Sequence, residues 1–137
     1  MQLLNDNGVE YVVVGGYALA FHGAPRFTGY IDILVRPTEQ NARRVISALA
    51  AFGFGGLQLD EHDFTAVDRV VQLGMPPMRI DLLTSIDGVD FHTAADGAVR
   101  ADLGGVTVPF IGRDALVANK RASGRAQDKA DLEALGE

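Results

Sequence analysis

The 137-residue chain has no cysteine, which excludes a disulfide framework and any thiolate zinc site and fits a reducing compartment. Positive charge is scarce as well: twelve Lys and Arg face eighteen Asp and Glu, for a net charge of −6. Proteins that hold duplex nucleic acid along a broad basic face are usually balanced the other way. Long hydrophobic runs are missing. The most apolar early stretch, Tyr11 to Phe21, is interrupted by Gly15-Gly16 and falls far short of the ~20 residues that span a bilayer. The start, Met1-Gln2-Leu3-Leu4-Asn5-Asp6, has neither a basic nor an apolar export region, so a cytoplasmic protein without membrane contact is expected. His22, His62 and His92 lie far apart with no H-E-x-x-H spacing, and no Gly-x-Ser-x-Gly elbow occurs. Zinc-peptidase and serine-hydrolase chemistry are thereby set aside.

What is present is an ordinary globular balance, 47% hydrophobic and 22% charged, at a length that suits one domain spanning residues 1–137. Residues 2–7 read as the end of a helix stopped by Gly8, short enough to suggest that a longer helix precedes it. Tyr11-Val12-Val13-Val14 reads as a buried strand, Gly15-Gly16 as a turn, and Tyr17 to His22 as a short helix closed by Gly23. Ile31 to Val35 is a second strand. Thr38 caps a helix over 39–52 with Ala42, Val45, Ile46, Leu49 and Phe52 on one face. Gly53 to Asp63 reads as a loop or weak strand. Residues 70–73 and 79–83 pair through Gly74-Met75-Pro76-Pro77, residues 90–98 form a helix, and 99–103 with 106–110 form a hairpin around Gly104-Gly105. From Gly112 the chain is helical in two pieces broken at Ser123-Gly124. This order predicts an α/β (α+β) fold, a small mixed sheet with flanking helices on one face.

Three features carry chemistry. A strand–Gly15-Gly16–helix junction lets backbone N–H groups approach a phosphate, although such junctions also arise for packing alone. A dinucleotide fold competes for these residues, but the sequence is not G-x-G-x-x-G and Asp32 lies at the start of its strand rather than at its carboxyl end. The second feature is a pair of acids in apolar strands, Asp32 in Ile31-Asp32-Ile33 and Asp81 in Ile80-Asp81-Leu82. Each points to the face opposite its aliphatic neighbours, where a dry unpaired carboxylate would be very costly. Side by side they would call for a hard cation, Mg²⁺ or Mn²⁺; the alternative is that each pairs with a nearby base such as Arg26 or Arg79. The third is the basic stretch Asn119-Lys120-Arg121-Ala122-Ser123-Gly124-Arg125, which either sets Lys120 or Arg121 against phosphates or is the solvated side of an amphipathic helix.

Val14-Gly15-Gly16 followed by Tyr30-Ile31-Asp32-Ile33, with Asp81 in Arg79-Ile80-Asp81-Leu82-Leu83, resembles the pattern of the DNA polymerase β-like nucleotidyltransferase superfamily. The segments Gly15-Gly16-Tyr17-Ala18, Arg26-Phe27-Thr28-Gly29 and Asn119 to Arg125, with Asp128 and Asp131, are similar to small bacterial members, some related to toxin–antitoxin and abortive-infection systems. The resemblance implies transfer of a nucleoside monophosphate from an NTP to a hydroxyl. Asp32 and Asp81 would be catalytic residues that ligate Mg²⁺ or Mn²⁺, and Gly15, Gly16 and Lys120 would bind the nucleotide. It also places a first catalytic aspartate at position 30, where this chain has Tyr30. A neutral phenol supplies one weak oxygen in place of a carboxylate, so strongly reduced activity is expected. The alternative is an inactive nucleotide-binding or antitoxin-like domain. The partners implied are an NTP, a toxin-like protein, an RNA acceptor or a second copy of the chain.

Overall fold

The computed structural model describes residues 1–24, 29–54, 58–75 and 78–137. The predicted turns at Pro25 to Thr28 and Pro76-Pro77, and part of the Gly53–Asp63 loop, lie outside the described residues.

Six strands form one mixed sheet: β1 (Tyr11–Val14), β2 (Tyr30–Val35), β3 (Val70–Met75), β4 (Met78–Leu83), β5 (Val99–Leu103) and β6 (Val106–Phe110). Their order is β3-β4-β2-β1-β6-β5. β1 pairs antiparallel with β2, and β2 runs parallel to β4, so the two strands that carry the acids are neighbours at the centre of the sheet. The helices are α1 (Gln2–Asp6), α2 (Gly15–Phe21), α3 (Glu39–Leu49), α4 (Phe91–Asp96), α5 (Arg113–Ser123) and α6 (Ala126–Ala134).

Local signals account for most boundaries. Thr38 accepts the Asn41 N–H at the start of α3, Asp90 accepts that of Thr93 at the start of α4, and Gly124 closes α5 in the left-handed conformation. Gly104 and Gly105 both have positive φ, as a primed hairpin turn demands. Buried Asn41 pins α3 to the strand ends: it accepts the Glu10 N–H at 2.7 Å and donates to the carbonyls of Glu10 and Arg36.

Four expectations are corrected. Helix α2 begins at Gly15, so the glycine pair forms its first turn and not a separate turn. Helix α3 ends at Leu49 and passes into a wider turn over Ala50–Phe54, which turns Phe52 outward, 56% exposed, instead of onto the core face. Within the 53–63 segment no strand forms among the described residues; a 3₁₀ turn at Glu61–Phe64 instead inserts Phe64 fully into the core. Helices also cover both faces of the sheet. Residues of α1 and α3 share a crevice with Ile80 and Leu82, whereas α5 and α6 share a cavity with Asp81, which points the other way.

One face of the central strands carries Ile31, Ile33, Val35, Val13 and Leu82, all buried. The opposite face changes along its length. Val12 and Leu34 are buried at one end, while Asp32 and Asp81 at the other are only half-buried. The apolar end anchors the sheet, and the acidic end lies open.

Candidate functional site

The acids meet because of strand register. In the β2–β4 pairing Asp32 stands beside Asp81 and Tyr30 beside Arg79. Residues two apart share a face, so these four form a two-by-two floor, a row of carboxylates next to a row of phenol and guanidinium. Asp81 Oδ1 is buried with no hydrogen-bond partner. Arg79 pairs with neither acid: its Nη1 donates to the Tyr30 Oη at 2.6 Å, and its guanidinium lies 5.4 Å from the centre of that ring. Arg26, the other base considered, lies outside the described residues.

Above the carboxylate row lies a cavity of about 660 Å³, the size of a small-molecule site. Tyr30, Asp32 and Asp81 line it from the sheet, Gly15 from the start of α2, Ser85 and Asp87 from the loop after β4, and Lys120, Arg125, Gln127 and Asp128 from α5, α6 and the turn between them. Val14 pairs with Asp32 across β1 and β2, so the chain enters α2 directly over that carboxylate. Gly15 has φ +66°, and a Cβ there would fall 2.2 Å from Asp32 Oδ2. Only glycine permits both that backbone conformation and this close approach. Gly16 is buried in the same turn and is not part of the cavity wall.

The wall opposite is a closed ion network. Lys120, expected against phosphates, is 5% exposed, with its Nζ 3.2 Å from Asp128 and 3.0 Å from Asp131. The ammonium lines the cavity while held by two buried carboxylates, and so joins α5 to α6. Burial by itself would raise the Asp128 pKa, but hydrogen bonds from Arg125 and Lys120 outweigh it and hold the carboxyl below its ordinary value. Arg125 adds a bond from its Nε at 2.8 Å and one from its backbone N–H at 3.2 Å. The loop after β4 is fastened to α5: Asn119 donates to the Asp87 carbonyl, Ser123 donates to its carboxylate, and Gly88 lies where a Cβ would strike Ala122. Sequence reasoning missed the roles of Asp87, Gly88 and Gln127, for which it had no signal; Arg125 appeared only as the end of the Asn119 to Arg125 stretch quoted in the resemblance.

Two carboxylates on adjacent strands, one with an orphaned buried oxygen, fit a single hard divalent cation. Among the described residues no group of three His, Asp or Glu comes together as a metal cluster. Tyr30 stands where a third carboxylate would enlarge the set. A two-cation arrangement does not fit the groups on this floor.

This fold, with an acidic strand pair beneath a glycine-started helix, is that of the nucleotidyltransferases. The chain is similar to TM1012 of Thermotoga maritima, a protein assigned as a nucleotidyltransferase, with TM-score 0.63 and 16% identity over 95% of this chain and 86% of that one. It is also similar to the lincosamide antibiotic adenylyltransferase LnuA, solved with lincomycin bound, with TM-score 0.56 and 13% identity over 99% and 91%. No protein-family model matches the sequence, and no curated protein matches it. Among the described residues no helix is long and apolar enough to cross a membrane.

Proposed function

We propose that the chain binds a nucleoside triphosphate together with one divalent cation, Mg²⁺ or Mn²⁺, on the Asp32–Asp81 floor. Its site is built for transfer of the nucleoside monophosphate to a hydroxyl, with release of pyrophosphate, and Tyr30 strongly reduces that transfer. The observation that carries this reading is the register of Asp32 beside Asp81 with the Asp81 Oδ1 left without a partner. The cation, when bound, neutralises phosphate charge and sharpens the electrophile.

The chain's own groups do the rest. Asp32, given room by Gly15, holds one side of the ligand set. Asp81 presents the second carboxylate and an oxygen able to take the proton of an incoming hydroxyl. Gly15 approaches the phosphates through its backbone. Lys120 acts at one remove, fixing the α5–α6 wall that faces the triphosphate. The net charge of −6 disfavours a broad RNA track, so the acceptor we favour is a hydroxyl on a small molecule or a protein. That the same fold serves an adenylyltransferase solved with lincomycin supports the small-molecule choice.

A second reading, nucleotide binding without transfer as in a sensor or an antitoxin-like domain acting in the cytoplasm, is favoured by the Tyr30–Arg79 bond. That bond fills the floor with a neutral oxygen. Thermal unfolding with each NTP, with and without Mg²⁺ or Mn²⁺, tests both readings. A ligand at a hundred times its dissociation constant adds about 2.7 kcal/mol, several degrees for a domain of this size. A cation-dependent shift is expected, with pyrophosphate release restored in Tyr30→Asp. A folded Tyr30→Asp that binds NTP and transfers nothing would leave the sensor reading. The absence of any nucleotide shift would remove both.

A further inference from the structure

At the far end of the sheet from Asp32 and Asp81 lies a second cavity, of about 250 Å³. Strand β1 runs between the two: Val14 lines the first and Val12 the second. Arg36 lines the second cavity from just past β2, Arg100 from β5, and Phe91 from the start of α4. Its charge runs against that of the chain. Arg36 and Arg100 outnumber Glu10, the one acid in the lining, so the cavity carries a net positive charge in a protein of net charge −6.

The polar groups of this cavity are unequally satisfied. Burial pushes the Tyr11 phenol up to about 12, against the opposing pull of Arg100, so the hydroxyl keeps its proton and donates it to Asn5 Oδ1 at 2.8 Å. Asn5 in turn donates to the Thr107 carbonyl. The Arg36 guanidinium is fixed 4.6 Å from the centre of the Phe91 ring, and its Nε stands 2.9 Å from the Glu10 carboxylate. That is an ion-pair distance without the alignment of a hydrogen bond, and Nε is buried with no other partner. Arg100 makes no hydrogen bond or ion pair with any described residue. The unmet donors therefore belong to the two arginines.

Their chemistry selects the ligand. A guanidinium presents its N–H groups in a planar fork that matches a carboxylate. One net positive charge balances a monoanion, whereas a phosphate monoester, at about −1.5 to −2 near neutrality, would set excess negative charge beside Glu10. Val9, Ala98 and Pro109 supply apolar surface for the rest of the molecule. The volume lies below the roughly 300–1,000 Å³ of sites for drug-sized ligands, so the occupant is small.

We infer that this cavity is a second ligand site, which takes a small organic monocarboxylate with its carboxylate between Arg36 and Arg100 and its apolar body against Ala98 and Pro109. It stands apart from the nucleotide reading and shares no lining residue with the first cavity.

The test titrates benzoate into the full, isotope-labelled chain and follows the backbone amide resonances, with benzamide as the neutral isostere and inorganic phosphate as the competing anion. Benzoate is expected to shift the amides of Val12, Ala98 and Arg100 to saturation and to leave those of Gly15 and Asp81 in place. Benzamide and phosphate should each bind more weakly, benzamide by about tenfold or more, as loss of a charge-assisted pair does. Arg100→Ala should weaken benzoate by a similar factor with the melting temperature retained, because Arg100 holds nothing in the free protein. Arg100→Lys keeps the charge without the fork and should recover part of the loss. The inference is overturned by the absence of a saturable shift, by equal affinities for benzoate and benzamide, by tighter binding of phosphate, or by full affinity in Arg100→Ala.

Discussion

Two pairs of carboxylates, one on the floor of the cavity and one in and behind its α5–α6 wall, are buried to very different depths. Asp128 and Asp131 are almost completely buried, and Lys120 bridges them while Arg125 adds further hydrogen bonds to Asp128. Asp32 and Asp81 are half-buried on neighbouring strands, and Asp81 keeps an oxygen without a partner. The first pair is structural: its charge is spent inside the protein, where removing one member exposes the desolvation cost of the others. The second stands half-buried in the wall of the open cavity, where the Asp81 Oδ1 has no hydrogen-bond partner. A carboxylate's type says little about its use; its burial and position decide.

The contrast breaks most sharply at Lys120. Lys120→Met keeps much of the side-chain volume but removes the ammonium that bridges two buried carboxylates, and a loss of about 3–5 kcal/mol in urea unfolding is expected. A loss below about 1 kcal/mol would mean that water reaches the network and that the two acid pairs differ less than their burial indicates.

The open pair is tested through its glycine. Gly15→Ala adds a Cβ at 2.2 Å from the Asp32 carboxylate and forces a side chain into positive φ. Such backbone strain costs about 1–3 kcal/mol. The carboxylate must also turn aside, so the stabilisation by Mn²⁺ seen in thermal unfolding should shrink along with the basal melting temperature. If basal stability falls and the Mn²⁺ shift is unchanged, Asp32 is not a cation ligand.

The smallest effect expected is in acid. The Asp128 carboxyl is held below its ordinary value of 3.8, so it binds protons less readily when folded than when unfolded. Its contribution is fully present above pH 3.8 and is lost as the pH falls through the lower folded value. The melting-temperature gap between wild type and Asp128→Asn should therefore be constant near neutrality and narrow below that pH. A gap of the same size at pH 3 and pH 7 would show that the carboxylate's charge is not what the network uses.

Much of this was legible along the chain. The β-branched run Tyr11–Val14, the aliphatic flanks of Asp32 and Asp81, Thr38 as a cap, Gly124 as a stop and the Gly104-Gly105 hairpin are local signals, and each element formed where its signal stood. The site was half legible. Alternation put both acids on the side away from their aliphatic neighbours. Phe52 and Phe64 show the limit. The first continues the helical spacing of α3 yet turns outward at a wider turn, while the second has no periodic context and fills the core.

The sequence by itself determined the strands, the caps, the absence of thiol chemistry and the presence of two acids in apolar strands, because those follow from the preferences of residues close together in the chain. Only the tertiary structure decided that β2 lies in parallel register beside β4, that Arg79 bonds Tyr30 and not an acid, and that Lys120 turns inward to Asp128 and Asp131. Those outcomes depend on which charges and donors packing brings within a few ångströms of one another. At that range desolvation and pairing energies outweigh any preference a residue carries on its own.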